Sequence, residues 1–168
     1  MKVESMIAIL IIDMQKCFLQ PLKSTREFEG ACEHINYVAD ILRSNDQVVV
    51  HVQDVEQAAE RSKEELSIVD EIDVKDKDLK MTKTASNSFW KTDLEKNLTD
   101  LGVDLLIISG FAAEYCVLFT YNGAYERGFN AVMLQNGILS FDKSNVESTY
   151  QSRHVISFPV LEAIFGKK

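Results

Sequence analysis

Cys116 is the side chain of this sequence best placed for covalent chemistry. It lies in Gly110-Phe111-Ala112-Ala113-Glu114-Tyr115-Cys116-Val117, after the apolar run 105–108 and where a helical pattern begins. A thiol there faces the unpaired N–H groups of a first helical turn and the positive end of its dipole, which favour thiolate. Two other segments end in groups that complete a nucleophilic centre. Asp13 closes the apolar strand 6–12, and Lys83 follows the short run 79–82. A carboxylate, an ammonium and a thiol at three strand ends supply a proton acceptor, a counter-ion and a nucleophile.

Histidine is the usual acceptor, but the three here fall elsewhere. His34 sits in an amphipathic helical pattern, His51 inside a buried strand and His154 at the start of a marginal one. The acceptor is therefore expected to be Asp13, made basic by burial. The tight turn at 110–113 is expected to aim backbone N–H groups at the developing oxyanion. Phe18, Phe89, Trp90 and Tyr115 flank these positions and are expected to wall a pocket for a small planar substrate.

Strand-like and helix-like patterns alternate around these residues. The run 6–12 is continuously apolar, as for a strand buried on both faces, and Val48-Val49-Val50-His51-Val52 reads as a second buried strand. Short apolar runs at 79–82, 105–109 and 131–134 follow, with a marginal sixth at 155–156. Between them, Ala31, Ile35, Val38 and Leu42 mark one amphipathic helix, and Leu94, Leu98 and Leu101 mark another. Thr92-Asp93-Leu94-Glu95 and Ser144-Asn145-Val146-Glu147 read as capping boxes. Residues 56–78 are heavily charged, with a short helical pattern near the centre, and read as a surface excursion. The alternation predicts a parallel sheet with helices on both faces, and such sheets bind ligands beyond the carboxyl ends of their strands.

The 168 residues suit one domain, taken as 1–168. A net charge of −8 without a basic stripe disfavours nucleic acid. The apolar runs are too short to span a bilayer, and Met1-Lys2-Val3-Glu4-Ser5 is unlike a secretory signal. Three cysteines, Cys17, Cys32 and Cys116, without Cys-x-x-Cys spacing, argue against a disulfide framework or a zinc site and for a reducing cytoplasm.

The motifs together resemble the isochorismatase-like cysteine hydrolases, which include nicotinamidases and carbamoylsarcosine amidohydrolases. Ile11-Ile12-Asp13-Met14-Gln15 with Phe18 is similar to the opening motif of that family. Lys83 with Ser88-Phe89, Thr92 and Leu94 is similar to its lysine segment, and Gly110 to Val117 with Thr120, Ala124 and Gly128 to its nucleophile segment. The resemblance implies a three-layer α/β/α fold with a six-stranded parallel sheet and a catalytic triad of Asp13, Lys83 and Cys116. It also implies a cis peptide between Phe111 and Ala112, with oxyanion donors at the N–H groups of Ala112 and Cys116. The activity implied is hydrolysis of a small-molecule amide or ureido C–N bond through a thioester.

Certain positions depart from the family pattern. Nicotinamidases of the family hold a metal with an Asp-x-His pair and further histidines. This chain has His51-Val52-Gln53-Asp54 and no histidine until His154, so neither a metal nor another cofactor is expected. Cys17 stands where relatives often have an acid, and Asn136 where many have an aspartate that shapes the polar wall of the pocket. The resemblance allows a second subunit to complete the site. A homo-oligomer is expected, with the apolar tail at Val160-Leu161 and Ile164-Phe165 either docking on a neighbour or closing the core. Two other readings remain at this level: a thiol redox sensor using Cys116 with Cys17, and a non-catalytic binding member of the fold. Hydrolysis of the isochorismate vinyl ether is disfavoured, since that chemistry needs no nucleophile.

Overall fold

Six strands form one sheet in the order β3-β2-β1-β4-β5-β6, and every pairing is parallel. They are β1 (Met6–Ile12), β2 (Val48–Asp54), β3 (Leu79–Lys83), β4 (Val103–Phe111), β5 (Asn130–Leu139) and β6 (Val155–Ile156). This computed structural model describes residues 5–166. The opening residues Met1 to Glu4, read above as unlike a signal, lie outside the described residues.

The central strand β1 is buried because it is apolar at every position, and the period of two sorts its side chains between faces. Ile7, Ile9 and Ile11 of β1 join one core; Ala8, Leu10 and Ile12 join the other. The first core packs beneath α2 (Arg26–Arg43) and α7 (Phe158–Phe165), the second beneath α4 (Leu94–Asp100), α5 (Leu118–Glu126) and α6 (Lys143–Ser152). The result is the three-layer α/β/α fold with a six-stranded parallel sheet. The tail helix α7 covers the first core with fully buried Leu161, leaving Val160 and Ile164 exposed.

Several local expectations change in the structure. The capping box expected at Thr92 does not form: Thr92 Oγ1 donates to Ser88 O at 2.6 Å, and α4 begins at Leu94. The cap expected at Ser144 falls instead on Asp142, whose carboxylate accepts from Ser144 N at 2.9 Å. The charged excursion holds the short α3 (Lys63–Leu66), closed by a complete capping box of Ser62 and Glu65. No helix among the described residues is long and apolar enough to cross a membrane.

Candidate active site

The strand order reverses direction at β1, which has β2 on one side and β4 on the other. Crevices open beyond the strand ends at such switch points. Asp13 stands at this edge, one residue past β1. Its backbone is in the left-handed region at φ 52°, and its N–H donates to Val52 O at 2.9 Å. On the other side, Gly110 pairs with Ile12 at φ 110°, and any Cβ there would stand 2.0 Å from Ile12 O. Only glycine lets β4 pass so close to β1. The next peptide, Phe111–Ala112, is cis.

After this turn the chain makes one wide helical turn, Ala113–Val117, in which Val117 N reaches Ala112 O at 3.2 Å. Such π-type turns concentrate at functional sites. Here the turn carries Cys116 into the crevice ahead of α5. The loop after β3 is fastened to the same helix: Ser88 N donates to Thr120 Oγ1 at 3.0 Å, and Thr120 Oγ1 donates to Ser88 Oγ at 2.9 Å. The segments bearing Lys83 and Cys116 are thus held in fixed relation.

The structure brings Asp13, Lys83 and Cys116 together. Lys83 Nζ lies 2.8 Å from Asp13 Oδ2 and 3.4 Å from Cys116 Sγ, with its side chain fully buried. It also lies 2.9 Å from Asp54 Oδ2, a contact the sequence reading missed. Asp54 is the last residue of β2 and the register partner of Lys83 in β3. The sequence carried a signal for it: Asp54, like Asp13 and Lys83, is a charged residue closing a largely apolar run.

Electrostatics divide the three groups unequally. Burial pushes the Asp13 carboxyl above its ordinary range, the Lys83 ammonium opposes that, and the charge of Asp54 adds to the rise. Asp13 Oδ1 is buried and accepts no hydrogen bond. Lys83 is held protonated: burial works against its charge, but the carboxylates and the thiol outweigh it. The Cys116 thiol is pushed up to about 12, first by burial and then by the Asp13 charge, with Lys83 pulling the other way. Burial and the Asp13 charge therefore act against the thiolate that the helix start favours.

A cavity of about 240 Å³ opens onto this cluster. Asp13, Asp54, Phe18, Phe111, Tyr115 and Cys116 line it, and Arg61, from the segment between β2 and α3, adds a cation. Ala112 lines it too, so both residues expected to donate to an oxyanion border the space above the thiol. Of the four aromatics expected there, Phe18 and Tyr115 line the cavity; the other two do not. Phe89 is buried against Phe129, with ring centroids 5.9 Å apart. Trp90 is exposed, with Lys91 over its ring at 5.7 Å. Asn136 also lies elsewhere, in a groove lined by α2 and α6, with its side-chain amide 3.4 Å from His34. Cys17 is partly exposed in the short helix α1 (Lys16–Leu19) and is not among the residues lining the cavity.

Asp13, Asp54 and Cys116 hold their ligand atoms within 4.8 Å of one another, a spacing compatible with a metal ion. Lys83 Nζ already stands among them within hydrogen-bonding distance of all three. The ammonium is the cation of this cluster, and a metal bound to these three atoms together would have to take its place.

The chain matches the Isochorismatase domain over residues 7–154 and belongs to the isochorismatase family. It is 30% identical over 148 residues to YaaI, an uncharacterized isochorismatase family protein of Bacillus subtilis, covering 79% of this chain and 80% of that one. Among solved structures, an isochorismatase-like hydrolase from Alkaliphilus metalliredigens superposes with a TM-score of 0.86 at 19% identity, covering 98% of each chain. The N-carbamoylsarcosine amidase of Thermoplasma acidophilum gives 0.76 at 20% identity, covering 90% of this chain and 95% of that one. The pyrazinamidase of Pyrococcus horikoshii, in complex with zinc, gives the same 0.76 and 20%, over 90% and 97%. Fold similarity therefore does not distinguish between those two activities.

Proposed function

We propose that this protein hydrolyses a small-molecule amide or ureido C–N bond through a Cys116 thioester. The observation that carries this reading is the contact of one buried ammonium with Asp13 and the Cys116 thiol beside a small, open cavity. Membership of a hydrolase family and fold similarity to an amidase support it.

In the proposed reaction Asp13 takes the Cys116 proton as the sulfur attacks the carbonyl carbon. The oxyanion rests on the N–H groups of Ala112 and Cys116. Asp13 then returns the proton to the departing amine; water, deprotonated by Asp13, attacks the thioester, the C–S bond breaks to release the acid, and the proton passes from Asp13 to Cys116 Sγ. Lys83 remains charged throughout and stabilises whichever neighbour is negative. The pocket needs no metal, because the ammonium already occupies the position among the carboxylates. A substrate of this size is small, and Phe18, Phe111 and Tyr115 suit a flat one.

Thiol and carboxyl titrate here as one pair. Losing the first proton gives an ionised Asp13 beside a neutral thiol, in exchange with a minor tautomer that has thiolate beside protonated Asp13. The proportion of the two tautomers does not depend on pH. Reactivity of Cys116 should therefore level off above the first step and rise again only near the second. The direct test of function is ammonia release from a panel of primary amides and ureido acids, with Cys116→Ala as the control. Turnover that survives the Cys116→Ala change would sink the reading.

A further inference from the structure

We propose that Asp54 is a fourth member of the centre: a positioning residue that holds the Lys83 ammonium between two carboxylates and so leaves Asp13 free to take the thiol proton. The proposal rests on the hydrolase reading of Cys116.

Geometry makes the contact a product of the fold. Asp54 and Lys83 are register partners on adjacent parallel strands, and Val55 N donates to Lys83 O at 2.9 Å just beyond them. The Asp54 backbone is gripped from a third strand end. The buried side chain of Gln15 accepts from Asp54 N at 2.7 Å and donates to Asp54 O at 3.0 Å. That same amide also donates to Leu66 O at 2.8 Å, so α3 is fixed in place too. Three elements are therefore spent on placing this one carboxylate.

Charge explains the use. An ammonium has three N–H donors, and here Asp13, Asp54 and Cys116 take one each. With the thiol protonated, two carboxylates against one ammonium leave one excess negative charge. Moving the proton from Sγ to Asp13 leaves that total unchanged: an S–H bond breaks, an O–H bond forms, and the negative charge passes to sulfur. Lys83 touches both termini of the transfer, so it need not move. Without Asp54 the whole ammonium charge would fall on Asp13 and hold its proton affinity down. Glu56 and Arg61 line the outer cavity and are unchanged in the test below.

The test is the pH dependence of Cys116 alkylation by iodoacetamide, read by peptide mass spectrometry on the full chain. It needs no knowledge of the substrate. In wild type the rate should fall below the first proton loss of the pair and run level above it. Asp54→Asn keeps the shape and an acceptor for the ammonium but removes the charge. Its acid limb should move to lower pH by roughly one unit or more. Thermal unfolding checks that the variant is folded, and Asp54→Ser is the second variant, at a side chain that is 14% exposed. Limbs of wild type and variant that coincide would overturn the role of Asp54 while leaving the hydrolase reading intact. A wild-type Cys116 whose only plateau begins above the ordinary thiol value of about 8.5, as for a free thiol, would overturn both.

Discussion

Two aspartates of this protein are buried in ionic clusters, and they titrate in opposite directions. Asp78, at the amino end of β3, is 8% exposed; Asp13, beyond the carboxyl end of β1, is 2% exposed. Asp78 accepts from Arg43 Nε and Nη2 at 2.9 and 2.7 Å, from His51 Nε2 at 2.9 Å and from Lys75 N at 2.8 Å. Burial acts against its charge, but those donors outweigh it and hold the carboxyl below its ordinary range. Asp13 shares one ammonium with two competitors and leaves Oδ1 without a donor, so burial prevails and its carboxyl is raised. A satisfied carboxylate is a rivet, and an under-satisfied one is a base. Donor count, more than depth of burial, separates structure from chemistry here.

The largest break in that comparison is at the nucleophile. Cys116→Ala should reduce amide turnover roughly 10⁴-fold or more while the fold stays intact, measured by ammonia release and thermal unfolding. Asp13→Asn comes next, with a loss of about 10²–10⁴-fold in turnover. Its alkylation profile should also change shape. Without the base, the rate should follow a single thiol titration, with no level stretch at lower pH.

Changing the other aspartate should do the opposite. Asp78→Asn leaves Arg43 with Asp40 as its remaining charged partner, at a cost of about 2 kcal/mol of stability by denaturant unfolding. The Cys116 alkylation profile of the folded variant should match wild type. The pH dependence sharpens the contrast. The folded-state carboxyl of Asp78 is lowered, so its stabilisation is present above the ordinary value of about 3.9 and is lost as pH falls through the lower folded value. His51 is held neutral by burial below its usual value of about 6.5, so its share too is lost on acidification. Asp13, raised, has the reverse sign: its ionisation costs stability as pH rises through its folded value. Asp78→Asn should therefore flatten the acid side of the stability profile.

The smallest effects are expected at two residues the sequence alone associated with the pocket. Trp90→Ala and Asn136→Asp both lie outside the cavity lining and should change turnover by less than about twofold.

These contrasts also mark what the sequence makes legible. The central strand was readable because burial on both faces leaves an uninterrupted apolar run, as in β1. Asp13, Lys83 and Cys116 were readable because each stands near a strand end in a recognised motif. Asp54 also closes a largely apolar run, but its contact with Lys83 depends on pairing β2 with β3 in one register, and linear order is silent on register. Phe89 and Trp90 are neighbours in a loop, and loops lack the periodicity that assigns residues to a face. One entered the core and the other faced solvent. The caps shifted for a similar local reason: the Thr92 hydroxyl donates to Ser88 O and accepts from Leu94 N, so it serves the turn before α4 without forming a box with Glu95.

The most direct test of the central claim, that Asp13 and Cys116 work as one proton-sharing pair, is the rate of Cys116 alkylation across pH in wild type and Asp13→Asn. The account predicts a level stretch in wild type beginning well below the ordinary thiol value of about 8.5, and a single thiol titration without that stretch in the variant. Identical profiles, both rising as a lone thiol does, would contradict it.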